Sequence, residues 1–275
     1  ARHTLMSGDP EAGIRKMIEC AVYCREQGQP HLALRRCQQA ETWIQACRQR
    51  GKEDSARDRR FAYQDPMLLD PKIIDRIDSR TLDALWILAT SERIVCVRVL
   101  GLGVGSGEKA SLTEHFVSEF VEELESLHTV SALLRAKAAL EVARLYVLLG
   151  RFEDARRPLT VGARLAEAHP DAEVLIGLKV ELVRCLRKSR RYVKASELAN
   201  ELVVQLRSGG APRAEQKIAL SRTLEELAKV CVELREYPRA EHYLDQARSV
   251  LDTASDVDQK VAIELDYAAL YRAQK

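Results

Sequence analysis

Apolar residues recur along this chain at spacings of three and four, which is the period of an amphipathic α-helix. One stripe consists of Leu82, Leu85, Trp86 and Ala89. A second stripe consists of Phe116, Phe120, Val121, Leu124 and Leu127. The two stripes predict two helices, one on each side of a glycine-rich stretch.

Four other segments share a longer pattern: a helix, a short polar turn and a second helix that opens with an alanine. The turns read CREQGQPHLA, VLLGRFEDA, LRKSRRYVKA and VELREYPRA, and their alanines are Ala33, Ala155, Ala195 and Ala240. The last two intervals are 40 and 45 residues, and the first, of 122, corresponds to three intervals of about 41. The spacing predicts a stack of helix pairs with two degenerate pairs in the middle.

This pattern resembles the long-repeat type of the tetratricopeptide-repeat (TPR-like) superfamily, which has small residues at repeat positions 8 and 20 and an aromatic residue at 17. Position 8 is Ala21, Ala143, Val183 and Ala228, and position 17 is Pro30, Phe152, Tyr192 and Tyr237. Val183 and Pro30 depart from the family pattern. The resemblance implies an all-α fold, a right-handed α-solenoid of antiparallel helix pairs.

We expect one helical-repeat domain over residues 1–275, as a fragment of a longer protein. The predicted repeats are 11–49, 131–169, 172–207 and 213–252, with degenerate repeats over 50–130 and the start of a further repeat at 257–275. The segment 58–75, which contains prolines at 66 and 71, is predicted to be an irregular insertion that covers part of a groove.

Composition narrows the class of function. Hydrophobic residues make up 46% of the chain and aromatic residues 5%, and 43 basic against 41 acidic residues leave a net charge of +2. Such a balance does not favour nucleic acid as a partner. No apolar run is long enough to span a membrane, and the first residues lack the apolar core of a signal peptide. We therefore expect a cytoplasmic or nuclear protein.

The glycine-rich stretch VLGLGVGSGEKAS, residues 99–111, has two interpretations. A phosphate-binding loop would need a strand before it, here Ile94 to Leu100, and lysine directly followed by serine or threonine. Lys109 is followed by Ala110, and the dinucleotide register also fails at Ser106. The repeat pattern instead favours a turn between two helices.

The side chains that could carry chemistry do not form a catalytic or metal-binding motif. The six histidines fall on separate elements, and Cys20 and Cys24 lack the spacing of a zinc site. The family resemblance places Cys20, Cys24 and Cys37 in packing positions between helices. We expect no enzymatic activity, no metal and no cofactor.

The resemblance also implies a concave groove lined by first-helix positions 2, 5, 9, 12 and 13. Several of these positions are basic in this sequence. The implied partner-binding residues are Arg144, Arg184 and Lys229 at position 9, Lys137 and Arg222, with Arg15, at position 2, and Arg187 and Lys188 at positions 12 and 13. This column predicts an acidic partner peptide or helix.

A structural alternative accounts for the same residues. Position 6 is glutamate in all four repeats, at Glu19, Glu141, Glu181 and Glu226. A glutamate three residues before a basic residue stabilises a helix by about 0.2–0.5 kcal/mol without any ligand. The basic segment 184–194 likewise fits either a phosphate or acidic-partner site or a solvated turn.

The function that the sequence favours is a non-enzymatic scaffold or adaptor, of the kind that kinesin light chains and signalling adaptors represent. One alternative is the helical-repeat arm of a large assembly, similar to proteasome-lid or separase subunits, which packs through its convex side. Another is a bacterial peptide-sensing regulator.

Overall fold

The chain is known from a computed structural model, which describes residues 9–53, 77–101, 108–167, 172–208, 213–251 and 257–274. Within these ranges no residue lies in a β-strand, and the predicted all-α class of antiparallel helix pairs is confirmed. The first helices of the pairs are α1 (Pro10–Glu26), α3 (Ser79–Val99), α5 (Ala132–Leu148), α7 (Ala172–Lys188), α9 (Ala214–Glu233) and α11 (Val257–Ala273). The second helices are α2 (Pro30–Glu53), α4 (Glu108–Ser126), α6 (Phe152–Glu167), α8 (Tyr192–Ser208) and α10 (Tyr237–Val250).

The chain divides into two compact units. Unit 1 is Ala1–Leu149 and contains α1 to α5, and unit 2 is Gly150–Lys275 and contains α6 to α11. The boundary lies between the two helices of the repeat expected at 131–169. The single domain and the exact repeat boundaries therefore stay predictions.

Unit 2 shows why the repeat pattern has small residues at fixed positions. Helix α8 packs against both α7 and α9, and α10 packs against both α9 and α11. The alanines at these crossings, Ala195, Ala228 and Ala240, are buried, since only a small side chain allows two helices to approach closely. Each second helix thus joins two first helices, which also contact one another in the order α7, α9, α11.

The turns inside the helix pairs reverse the chain at the same repeat position. That residue has a positive φ in all four matching pairs: Gly28 (72°), Gly150 (74°), Arg190 (59°) and Arg235 (62°). The next amide donates a hydrogen bond of 2.8 Å to the carbonyl five residues earlier in the turns after α1, α7 and α9. This is a helix-ending motif that glycine adopts most easily, so the two arginines take a conformation that L-residues seldom adopt.

Unit 1 confirms the two predicted apolar stripes. Leu82, Leu85, Trp86 and Ala89 are buried on α3, and Phe120, Val121 and Leu124 are buried on α4. The alternative of a strand from Ile94 to Leu100 is wrong, because α3 continues to Val99. Most of the glycine-rich stretch (102–107) and the whole predicted insertion (58–75) lie outside the described residues.

Thiols form part of the core of unit 1. Cys24, Cys37 and Cys96 pack with Ala21 and Ala33, as expected for the first two. The expectation is wrong for Cys20, which is exposed, because its position on α1 faces away from α2 and α3. A hydrogen bond to Cys96, together with burial, raises the pKa of the Cys37 thiol. The raised pKa keeps the Cys37 thiol neutral, as a packing role requires.

Candidate functional site: a charged ladder on the first helices

Seven charged side chains of unit 2 form a continuous network across three successive first helices, which we call the charged ladder. Its members are Glu181, Arg184 and Arg187 on α7, Glu225, Glu226 and Lys229 on α9, and Asp266 on α11. Side chains three or four residues apart share a helix face. Because α9 contacts both α7 and α11, the ladder connects the stacked repeats.

Glu226 is the centre of the ladder. Its side chain is 2% exposed and accepts hydrogen bonds from Arg187 Nε at 2.7 Å and from Arg184 Nε at 3.2 Å. Arg184 also contacts Glu181 at 3.2 Å on its own helix. A buried carboxylate with two guanidinium partners is the arrangement that offsets the cost of removing charge from water.

Lys229 extends the ladder to the last helix. Its Nζ lies 2.9 Å from Asp266 Oδ2 and 3.8 Å from Glu225 Oε2. Gln259 of α11 donates a further hydrogen bond to Glu225 Oε1. Carboxylates of α9 and α11 thus each bind a cation on the preceding first helix, through Glu226 and Asp266 respectively.

The two adjacent glutamates of α9 titrate in opposite directions. Burial raises the pKa of Glu226, but Arg187, Arg184 and Lys229 outweigh it and hold that pKa below the usual range. For Glu225, burial outweighs Lys229, and Asp266 and Glu226 add repulsion, so its pKa rises to about 7. Glu226 is therefore a permanent anion, whereas Glu225 changes charge near neutral pH.

The raised pKa of Glu225 makes stability depend on pH. The folded state binds the Glu225 proton more tightly than the unfolded state, so this contribution is complete below the ordinary carboxyl pKa and is lost as pH rises through about 7. We expect Glu225→Gln to leave stability unchanged at pH 4 and to raise it by about 2–3 kcal/mol at pH 8.

Urea unfolding of both proteins between pH 4 and pH 9 measures this effect. Glu233→Gln, on the exposed end of the same helix, is the matched control and should leave the pH profile unchanged. A Glu225→Gln profile parallel to that of the wild type would show that Glu225 is already ionised throughout this range.

Two of the three cations of the ladder, Arg184 and Lys229, are its most exposed members. The side chain of Arg184 is 33% exposed and that of Lys229 is 31% exposed, whereas Glu181, Glu225 and Glu226 are buried. Asp266 is the one more accessible carboxylate of the ladder, at 18%. Solvent therefore meets positive charge, with the balancing carboxylates beneath it.

The other residues of unit 2 that the sequence predicted as partner-binding differ in how exposed they are. Arg187 is buried against Glu226, so a direct contact between Arg187 and a partner does not fit the structure. Lys188 is exposed at the end of α7, and Arg222 is exposed and donates from Nε to Gln259 Oε1 at 3.1 Å. Both lie in unit 2.

Arg144, Lys137 and Arg15 belong to unit 1. Lys137 is exposed on α5, and Arg144 contacts Glu141 at 2.5 Å. The second oxygen of Glu141 accepts a hydrogen bond from Arg98 of α3 at 3.0 Å, so a smaller network of the same kind joins two first helices there. The pairs predicted by the structural alternative are present at Glu141, Glu181 and Glu226.

Sequence reasoning missed two members of the ladder. Glu225 occupies repeat position 5, which is apolar in the other three matching repeats, so no recurring charge identified it. Asp266 could have been found, because it occupies position 6 of the further repeat that begins at 257, the position that Glu226 occupies in the repeat before it.

Other kinds of site find little support in the part of the chain that the structure describes. No helix there is long and apolar enough to cross a membrane. No three histidine, cysteine or acidic side chains in that part are grouped as metal ligands would be.

Comparison with solved structures shows that proteins with TPR-like repeats have a similar fold. A kinesin light chain from Podospora anserina with nearly identical TPR-like repeats is 17% identical, with 87% of this chain and 95% of that chain covered and a TM-score of 0.53. A single-residue variant of it is 16% identical over the same shares, with a TM-score of 0.52. BtubC (BKLC) from P. vanneervenii is 14% identical, with 84% of this chain and 82% of that chain covered and a TM-score of 0.52.

Sequence comparison adds no closer relative: no family profile matches the chain, and neither does any curated protein. The similarity therefore concerns the fold. The turn motif and the buried alanines at the helix crossings are features of the same fold. The chain has a TPR-like helical-repeat fold.

Proposed function

We propose that this chain is a non-enzymatic protein-interaction scaffold that binds an acidic segment of a partner polypeptide along the first helices of unit 2. The single observation that carries the proposal is the exposure pattern of the charged ladder: Arg184 and Lys229 are its most accessible members, and their own carboxylates lie beneath them. An acidic side chain can approach both cations from the solvent side.

The ladder also prepares these cations for binding. A long basic side chain loses about 0.5–1.5 kcal/mol of conformational freedom when a partner immobilises it. Glu226 and Glu181 already hold Arg184, and Asp266 already holds Lys229, so much of that loss has occurred before the partner arrives. Because a guanidinium has five N–H donors, Arg184 can bind a carboxylate of the partner in addition to Glu181 and Glu226.

The proposal includes Lys188 and Arg222 as secondary contacts on the same unit, and Arg144 and Lys137 as contacts on unit 1. Arg187 acts through Glu226, by holding the carboxylate that positions Arg184. We place the scaffold in the cytoplasm or nucleus.

A second candidate is the helical-repeat arm of a large assembly. Val193 and Val204 are 70% and 67% exposed on α8, and they lie eleven residues apart on one face of that second helix. These two exposed valines on a second helix are the observation that favours packing through second helices. Binding that survives the loss of Arg184 and Lys229 would favour this candidate.

Fluorescence anisotropy with a labelled twelve-residue peptide of glutamate and leucine tests the proposal. Arg184→Gln/Lys229→Gln should weaken binding at least tenfold, because a hydrogen bond to a charged group contributes about 1.5–3 kcal/mol. Glutamine is preferred to glutamate at these positions, since a new carboxylate beside Glu226 would destabilise the fold as well.

The matched control is Lys194→Gln/Arg239→Gln, which removes the same two charges from the exposed sides of α8 and α10. It should bind the acidic peptide within about twofold of the wild type, because exposed charges away from the contact act mainly through screened long-range attraction. If both double variants weakened peptide binding equally, the effect would come from the net charge of the protein. That result would contradict a defined binding site at Arg184 and Lys229.

A further inference from the structure

Unit 1 contains a groove of about 790 Å³ that the proposed function does not use. Residues of α2, α3 and α4 line it. Among the described residues, its lining contains four glutamates and one arginine, together with the aromatic rings of Trp86, Phe116 and Phe120. A volume of this size accommodates several side chains of a peptide.

The aromatic part of the lining is held in place by charged neighbours. Arg93 lies over the Phe116 ring at 3.8 Å, and Trp86 Nε1 donates to Glu123 Oε2 at 2.7 Å. Arg48 contacts the other oxygen of Glu123 at 2.6 Å. The rings therefore form a fixed wall, against which the aliphatic part of a long side chain can pack.

One buried carboxylate in this wall has an oxygen that is poorly satisfied. Glu41 lines the groove with its side chain 7% exposed, and Arg93 Nη1 donates to its Oε2 at 2.7 Å. No hydrogen bond of ordinary geometry from the described residues reaches Oε1, although the Thr90 hydroxyl lies close to the carboxylate. Burial raises the pKa of Glu41, and Arg93 and the nearby Thr90 hydroxyl oppose that rise. A buried acceptor left open in this way gains free energy from any donor that reaches it.

We propose that this groove binds a cationic segment of a partner protein, with an arginine side chain between Glu41 and the exposed pair Glu119 and Glu122 and with its aliphatic stem on the ring of Phe116. Charge complementarity selects this occupant, since Arg93 and Arg48 pair with Glu41 and Glu123, and the exposed Glu119 and Glu122 add two further carboxylates to the lining. Arginine fits better than lysine because its planar guanidinium can both stack on a ring and bond two carboxylates.

This inference does not rest on the proposed acidic-peptide site. It concerns another unit, other helices and the opposite charge of ligand. If the acidic peptide does not bind at Arg184 and Lys229, the proposal for the groove is unaffected. If the cationic peptide does not bind in the groove, the proposal for the charged ladder is likewise unaffected. Together the two sites would let one chain hold two partner segments of opposite charge.

Trp86 provides the measurement. The chain has two tryptophans, Trp43 and Trp86, so Trp43→Phe leaves the one in the groove as the only fluorescent indole. The probe is a nine-residue peptide of arginine, phenylalanine and glycine. We expect a saturable change in Trp86 emission with a dissociation constant of about 10–100 μM, which rises with salt.

Two matched peptides define the chemistry. Citrulline in place of arginine keeps the planar shape but removes the charge and replaces one NH2 donor with a carbonyl acceptor, so it should weaken binding at least tenfold. Glutamate in place of arginine should abolish binding. Equal binding of the citrulline and arginine peptides, or tighter binding of the glutamate peptide, would overturn the proposal.

Two variants locate the site. Glu119→Gln/Glu122→Gln changes two exposed residues, so we expect the protein to fold normally. The variant should bind the arginine peptide at least fivefold more weakly than the wild type. Glu197→Gln/Glu201→Gln, on the exposed face of α8, removes the same charge elsewhere and should leave the affinity within twofold. Unchanged binding by the first variant, or equal weakening by both, would show that the peptide does not occupy this groove.

Discussion

Replacing Glu226 with leucine should lower the free energy of unfolding by about 3–5 kcal/mol, the largest loss that we expect from any single substitution in the ladder. Glu226 is the carboxylate that Arg187 and Arg184 share. Without it Arg187, 8% exposed, keeps its charge in a buried site with no other ladder carboxylate bonded to it. The loss of stability therefore comes from leaving a buried charge without a partner. It is larger than the net contribution of the Arg187–Glu226 ion pair to the stability of the wild type.

Urea unfolding at pH 7 measures the loss, and a double variant isolates its cause. Arg187→Leu/Glu226→Leu removes both charges and should recover most of the stability, since two apolar side chains can replace a buried ion pair at little cost. A loss below about 1 kcal/mol for Glu226→Leu would mean that Arg187 reaches solvent on its own. The ladder would then be a set of weak surface pairs.

Leu224→Ala should cost about 2–5 kcal/mol, the second large effect. Leu224 is fully buried on α9, within the core cluster that residues of α7 to α11 form. Removing three carbon atoms there leaves a cavity that the packed helices close only in part. The same substitution also loosens the helices that hold the charged ladder.

Leu234 provides the matched control for this prediction. It lies ten residues further along, caps the same helix and is exposed. Leu234→Ala should cost less than about 1 kcal/mol, because its side chain already contacts water. Thermal unfolding followed by circular dichroism measures both. Similar losses for the two leucines would mean that the buried cluster does not hold unit 2 together.

The helix pairs were predictable from the sequence because their determinants are local. The alanines at the crossings and the polar turns recur at fixed repeat positions, and the apolar stripe around Trp86 identified a helix even in a degenerate repeat. Cys20 shows the limit of that reasoning. A repeat position tells which face is usually buried, whereas burial itself depends on which helix packs there.

The candidate site was predictable only in part. The pairs within one helix, such as Glu181 with Arg184, follow from a spacing of three residues. The contacts of Arg187 with Glu226 and of Lys229 with Asp266 join residues 39 and 37 positions apart, and they depend on how first helices stack. The exposure of each side chain, which the sequence does not give, decides which charges a partner can contact. Arg187 is buried, so we propose that it holds Glu226 and does not contact the partner.

The acid-lined groove of unit 1 could not be inferred from the sequence at all. Its walls come from three helices, and the contacts of Arg48 with Asp83 and Glu123 cross 35 and 75 residues of chain. The lining residues of α3 and α4 lie in the degenerate repeats, where the pattern is weakest, and those of α2 are not at positions that the pattern identifies. Only the packed helices bring their charges together.

Photo-crosslinking tests the central claim most directly. The acidic peptide, with a benzophenone side chain at its centre, is irradiated in complex with the protein, and the labelled residues are identified by mass spectrometry. The account predicts labels on α7 and α9 close to Arg184 and Lys229, and their loss in the Arg184→Gln/Lys229→Gln variant. Labels concentrated on α8 and α10, unchanged in that variant, would contradict it.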